Sequence, residues 1–401
     1  MAEKVQRRVL SNGLSVVFEK RALPVVAASI TNKFGAAYET SEIKGVAHVI
    51  EHLLFTGTKT RSHEDISREI EKRGGLLNAF TSHEVTSYWF KLPSAHLFAG
   101  LDILVDMIKN PKFDVEKFEK EKKVILEEIK MYHDNPRLAV FEHLEKNMFE
   151  KPFGELVIGN TESVSSLNRD EVVKLFNEHY DPARFFVTIV GDADFEKVCK
   201  YFEEQFEAKN LTLVMPKIVK KNGDSVEERA GIDQAHLVIG MHAPLMNNPE
   251  VYPLLLLDAY LANGMSSKLF LEIREKRGLA YAVKSGLEAE ENYAYYTIYV
   301  GTTKEAVDEV KKLIREGFEG LKDMKESELA EAKDRVVGLH NVSSEESTDV
   351  MRELINYELN DDLKGYSDFE KRVRAVKLED VKKLAESLLK KGFSSAAIVP
   401  K

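Results

Sequence analysis

His48-Val49-Ile50-Glu51-His52 lies in an apolar, helix-forming run that starts after Gly45 and ends at Phe55-Thr56-Gly57-Thr58. In a helix, residues four apart stand one above the other, so His48 and His52 aim ring nitrogens at one point, with Glu51 one position aside. Tetrahedral Zn²⁺ accepts two imidazoles at that spacing. Zinc acidifies a bound water, and an unligated carboxylate beside it can take the proton and later pass it to a leaving amine. The pattern points to metal-assisted hydrolysis; the competing reading is an amphipathic helix with two core histidines.

Two histidines leave a zinc site one protein ligand short, and the next helical stretch supplies candidates. Residues 115–131 read as a helix after the break at Asn110-Pro111, with Asp114 as its cap. Within it Glu121 and Glu128 are seven apart, so two turns bring them to one face. A solvated charge stripe has the same spacing.

Composition sets the class. The 401 residues exceed one ordinary core and suggest two or more domains, and a hydrophobic content of 43% is that of a globular protein. No apolar run approaches the length of a membrane span, and residues 1–8 lack the apolar core of a signal peptide, so a soluble, cytoplasmic protein is expected. Cys199 is the one cysteine, which excludes internal disulfides and a thiolate metal cage. A net charge of -10 argues against nucleic acid as a partner and favours basic substrates by steering.

Outward from the histidine helix, a hairpin is expected over 8–20 with Asn12-Gly13 as its turn, and strands over 25–34, 76–81 and 85–92. Helices follow over 95–109, 115–131, 137–148, 170–180 and 196–206, with a strand over 185–190. The polar, turn-rich segment 208–228 has the character of a linker, and beyond it the order of elements repeats. Strands are expected over 234–241, 281–287 and 293–300, then helices over 305–321 and 326–340, a last helix over 378–389 and a strand over 394–399. The expected fold class is α+β: two homologous α/β sandwich domains, each a mainly antiparallel sheet packed with helices. The domains are placed at 1–210 and 229–401, with the linker at 211–228. Aligning Gly57 with Gly264 sets His48, Glu51 and His52 against Leu255, Asp258 and Ala259, and aligning Phe118 with Leu329 sets Glu121 and Glu128 against Ala332 and Leu339. The second copy cannot bind zinc.

With H-x-x-E-H, the downstream glutamates and the duplicated half in place, the chain resembles the M16 metallopeptidases, which are inverzincins, over nearly its whole length. Its size resembles the short branch, in which one chain carries two homologous halves. The resemblance implies a zinc endopeptidase that hydrolyses unfolded peptides in a chamber enclosed by facing domains. It assigns one zinc per chain to His48, His52 and Glu128, the latter 76 residues beyond His52, and makes Glu51 the general base. Glu127 points about 100° away from Glu128 on the helix. By the same resemblance Glu121 supports the ligands from outside. Arg274 and Tyr281 match an Arg and Tyr pair that grips substrate and stabilises the oxyanion. Asn78-Ala79-Phe80-Thr81 matches an edge strand that pairs with the peptide backbone. A homodimer is implied, with a heterodimer of related chains as the other arrangement. The alternative function is a catalytically silent scaffold or partner subunit, as some relatives have become.

Overall fold

The computed structural model describes residues 5–207 and 217–401. The first part of the chain runs β1 (Val5–Val9), β2 (Ser15–Lys20), β3 (Val25–Asn32), α1 (Val46–Leu54), α2 (His63–Glu71), β4 (Leu76–Thr81), β5 (Thr86–Pro93), α3 (Leu97–Lys109), α4 (Val115–Asp134), α5 (Pro136–Met148), α6 (Thr161–Ser166), α7 (Arg169–His179), β6 (Phe185–Gly191) and α8 (Phe195–Gln205). It continues with β7 (Asp224–Arg229), β8 (Ala235–His242), α9 (Val251–Leu261), a π-helical turn (Phe270–Lys276), β9 (Ala280–Ala289), β10 (Ala294–Thr302), α10 (Val307–Glu319), α11 (Glu326–Ser343), α12 (Ser347–Leu359), α13 (Leu363–Ser367), α14 (Phe369–Ala375), α15 (Leu378–Lys391) and β11 (Ser394–Pro400). The α+β class and its two helix-packed sheets are as the sequence implies.

Two compact units divide these elements. One comprises Met1–Lys130, Glu155–Lys217 and Ser344–Leu359; the other comprises Met131–Gly154, Ile218–Ser343 and Asn360–Lys401. In the first, six strands are ordered β1-β2-β6-β3-β5-β4, antiparallel except for the β2/β6 pair. Strand β6 is buried throughout, as a central strand covered on both faces should be. Tyr88 and Phe90 of β5 point to the face covered by α1 and α3: the Phe90 ring fills the space a side chain at Gly100 would need. Ser87, Trp89 and Lys91 alternate to the opposite face, which α12 covers above β3 and β6. Strand β4 ends the sheet, and among the described residues no strand pairs with its outer edge.

The second unit has five strands ordered β7-β11-β8-β10-β9, with α5 on one side against β8 and β11. Its apolar core gathers Leu256, Leu257, Ile298, Ile314 and Leu384 from the sheet, α9, α10 and α15.

The units are not the consecutive stretches 1–210 and 229–401. Helix α5 belongs with the second sheet because Leu144 and Met148 pack onto Gly240 of β8, where a β-carbon would lie within 3 Å of both side chains. Helix α12 belongs with the first. The expected linker at 211–228 also needs correction at its end, since residues 224–228 form most of β7, parallel to β11. That strand alternates exposed and half-buried residues and carries charges on both faces, so its composition reads as a loop. The rest of the expected linker up to residue 216 lies outside the described residues.

Candidate metal centre

Helix α1 starts where the chain needs a left-handed residue: Gly45 has φ 96°, and a β-carbon there would lie 2.7 Å from the Ile158 carbonyl. Its first turn is seated on a buried carboxylate. Glu39 accepts from the Gly45 and Ala47 N–H groups at 2.9 and 2.7 Å, satisfying donors that a helix start leaves open and placing negative charge at the positive end of the dipole. Lys44 sits 3.7 Å from the same carboxylate and donates to the Ala36 carbonyl at 2.7 Å. Both side chains of this pair are fully buried. Neither was singled out from sequence, although a Glu and a Lys just ahead of the glycine that opens the helix is the signal that was there.

Helix α4 is held by the buried Phe118 and by Lys122, which donates to the Ser165 and Leu167 carbonyls. This brings Glu128 Oε2 to 3.8 Å from His48 Nε2 and 3.7 Å from His52 Nε2. Ligand atoms of the three residues all lie within 4.8 Å of one another. Two ligands bound at about 2.0–2.1 Å to tetrahedral zinc stand roughly 3.4 Å apart, and the two His–Glu128 distances lie within a few tenths of an ångström of that spacing. Glu121 approaches from the other side: His52 Nδ1 is 3.3 Å from its Oε2 and can donate to it, which turns Nε2 toward Glu128.

The electrostatics favour a cation at that point. Burial, with the charge of His52 adding to it, holds the His48 imidazole down to about 3, so the ring is neutral and has a lone pair to give. Burial also opposes charge on His52, but the Glu121 contact and the charges of Glu51 and Glu128 prevail and raise it. Nitrogens of a neutral ring and a carboxylate-flanked ring, converging on a carboxylate oxygen, form a donor set that suits Zn²⁺. Glu51 stands beside them without belonging to the trio. Burial raises its pKa, against the pull of the Thr81 hydroxyl, which donates a short hydrogen bond to Oε2.

Thr81 ties the centre to the sheet edge, since it is the last residue of β4. The Ser82 N–H donates to the Val85 carbonyl across the β4/β5 turn, so by alternation Phe80 and Asn78 bond to β5 and Ala79 turns its polar groups to the free edge. The Ala79 N–H is covered by its neighbour, the Asn78 side-chain oxygen, at 2.8 Å. The four residues expected to pair with a peptide are thus on an edge strand next to Glu51.

Arg274 and Tyr281 belong to the second unit. Arg274 lies in the π-helical turn with its guanidinium over the Phe270 ring, 4.8 Å from the centroid, and Gly278, at φ 62°, ends the turn. Tyr281 is the extra residue of a β-bulge, because Gly301 pairs with Ala282 and Thr302 with Ala280. A bulge re-aims a side chain, and the exposed Tyr281 ring lies over Gly301, where a β-carbon would meet it at 2.3 Å. The residues aligned with the metal set do other things: Asp258 of α9 accepts from the Tyr296 hydroxyl at 2.7 Å, and Leu255, Ala259, Ala332 and Leu339 offer no ligand.

A family model described as Insulinase (Peptidase family M16) matches residues 15–161, which contain the entire metal set, and one described as Peptidase M16 inactive domain matches 166–336. The chain is similar to an uncharacterized zinc protease of Bacillus subtilis, 32% identical over 404 residues and covering 99% of this chain and 98% of the relative. It is likewise similar to an uncharacterized zinc protease of Streptomyces coelicolor, 30% identical with 99% and 90% covered. A solved protease from Helicobacter pylori has a TM-score of 0.92 at 23% identity, with 99% of this chain and 100% of that one covered. A structure described as a peptidase M16 inactive domain from Pseudomonas fluorescens has a TM-score of 0.90 at 20% identity, with 99% and 98% covered. The two structures establish a shared fold.

Proposed function

The chain belongs to the M16 peptidase family, and from that membership we propose that it is a zinc-dependent endopeptidase that hydrolyses unfolded peptides. The observation that carries the proposal is the convergence of His48, His52 and Glu128 with Glu51 beside them, next to a free sheet edge. His48, His52 and Glu128 would hold one zinc ion per chain, which would supply a Lewis acid and make water a usable nucleophile near neutral pH. Glu51 takes the proton of the attacking water and returns it to the leaving amine. Its burial suits this task, because a raised carboxyl pKa is closer to that of the groups it exchanges protons with. The Thr81 hydroxyl holds the Glu51 carboxylate in one orientation, and Glu121 does the same for the His52 ring.

An extended peptide would add a strand at β4, replacing Asn78 Oδ1 on the Ala79 N–H, so recognition through Asn78, Ala79, Phe80 and Thr81 reads backbone more than side chains. Arg274 and Tyr281 are proposed, from the family resemblance, to grip substrate and donate to the oxyanion as negative charge develops. The same resemblance supports a homodimer whose facing halves enclose the peptide. Among the described residues no helix is long and apolar enough to cross a membrane; a cytoplasmic location is part of the proposal. The competing reading is a silent subunit that needs a related partner.

Chelation and reloading of the purified chain separate the two. Cleavage of unstructured peptides that is lost on chelation and restored by one equivalent of zinc is expected. A chain that holds one zinc and cleaves nothing until a related subunit is added would establish the partner reading.

A further inference from the structure

The face of the first sheet opposite α1 carries a feature that the metal centre does not use. Asn78 and Phe80 of β4 share this face with Ser87, Trp89 and Lys91 of β5, their cross-strand neighbours. Helix α12 lies over it and is pinned at both ends. At its start, Glu346 pairs with Lys91 at 2.6 Å and accepts from the Thr348 N–H and hydroxyl at 3.2 and 2.8 Å. At its end, the buried Glu358 pairs with Arg7 of β1 at 2.8 Å. Between the two anchors, Arg352 projects over the sheet with its guanidinium 6.0 Å from the Phe80 ring centroid and 5.7 Å from that of Trp89. Rings hold this side chain, and among the described residues no carboxylate pairs with it. It is exposed, over the edge strand, with its charge free for another partner.

From this geometry we propose that Arg352, seated on Phe80 and Trp89, forms a subsite that selects an acidic side chain on the bound peptide. The proposal rests on the peptide-pairing reading above. A strand added to β4 sends alternate side chains to opposite faces, whichever way it runs. Residues opposite Ala79 and Thr81 face α1 and Glu51, whereas residues opposite Asn78 and Phe80 face α12 and Arg352. The acidic preference therefore falls on positions an odd number of residues from one that faces Glu51, and recurs with a period of two. Arg352 is a specificity residue and takes no part in the chemistry. The net charge of -10 favours basic peptides at a distance, so this local preference runs against the field of the whole chain.

The test is binding and cleavage of one unstructured peptide in versions that carry Glu, Gln or Lys at each position in turn. Binding is followed by fluorescence anisotropy on the zinc-loaded Glu51→Gln protein, with and without Arg352→Gln or Arg352→Glu, after checking that each variant melts cooperatively. The expected result is a preference for Glu over Lys of about fivefold at alternate positions, the modest size of an exposed ion pair, abolished in Arg352→Gln and reversed in Arg352→Glu. Equal affinity for the Glu and Lys peptides, or a preference that persists in Arg352→Glu, overturns the subsite. Cleavage by the protein with Glu51 intact then addresses the other reading separately. Cleavage without an Arg352-dependent preference leaves a peptidase lacking this subsite, whereas Arg352-dependent binding without cleavage keeps the subsite and removes the peptidase.

Discussion

Glu121 contacts His52 and is proposed to act on the centre without being a ligand. It fixes which nitrogen of His52 faces Glu128, so Glu121→Gln should leave the ligands in place and weaken zinc binding by about 10- to 100-fold, measured by competition with a chromogenic chelator. An affinity within twofold of the parent protein would reduce Glu121 to part of a solvated stripe. Glu346 gives a pH-dependent counterpart. Its bond from Lys91, with Thr348 adding to it, holds the carboxyl at about 2, below its ordinary 4.5. A depressed folded value stabilises the protein above pH 4.5 and loses that effect as pH falls toward 2. Chemical denaturation followed by Trp89 emission should therefore show a stability gap between the parent and Glu346→Gln that is constant above pH 4.5 and closes below it. A gap that does not change with pH removes the ion pair as its cause. At this scale the two pairs were legible because helical spacing is rigid, the histidines being four apart and the glutamates seven apart, whereas the choice of Glu128 as the third ligand came from the family resemblance. Glu39 and Lys44 were not legible, because they meet each other and backbone groups that only the folded chain ahead of α1 brings close.

Among elements, α1 and α4 announced themselves through caps, periodicity and charge. The role of β4 as an edge was not readable from its residues, because an edge is defined by which strands do not pair with it. Its outward-facing N–H groups supply a direct test. Ala79→Pro removes a donor that faces the open edge, together with its bond to Asn78 Oδ1 but no bond to β5, and proline is tolerated on edge strands. Folding and zinc content should be unchanged while peptide cleavage falls at least about tenfold. Undiminished cleavage would mean that the peptide does not pair there. The strand at Asp224–Arg229 was missed for a related reason: its alternation is between exposed and half-buried positions, and its pairing partner β11 lies at the far end of the chain.

For the whole molecule, the repeated order of elements gave the duplication, but the assignment of α5 and α12 needed tertiary packing, since adjacency in sequence places each in the wrong unit. A chain cut after residue 207 would deprive the first sheet of α12 and the second of α5. Each fragment expressed alone should fail to unfold cooperatively, whereas the two coexpressed should recover a folded complex. A first fragment that melts cooperatively by itself would show that α12 is dispensable to its sheet. The metal set falls within residues 15–161; of the positions aligned with it, Asp258 accepts from the Tyr296 hydroxyl, Ala259 and Ala332 are buried, Leu255 packs against the apolar core and Leu339 is exposed.

The most direct measurement is hydrolysis of unstructured peptides by the parent protein and by Glu51→Gln, with zinc determined in both. About one zinc per chain is expected in each, with a loss of cleavage of at least about a thousandfold in the variant. Cleavage that survives the substitution with zinc still bound would contradict the assignment of Glu51 as the base.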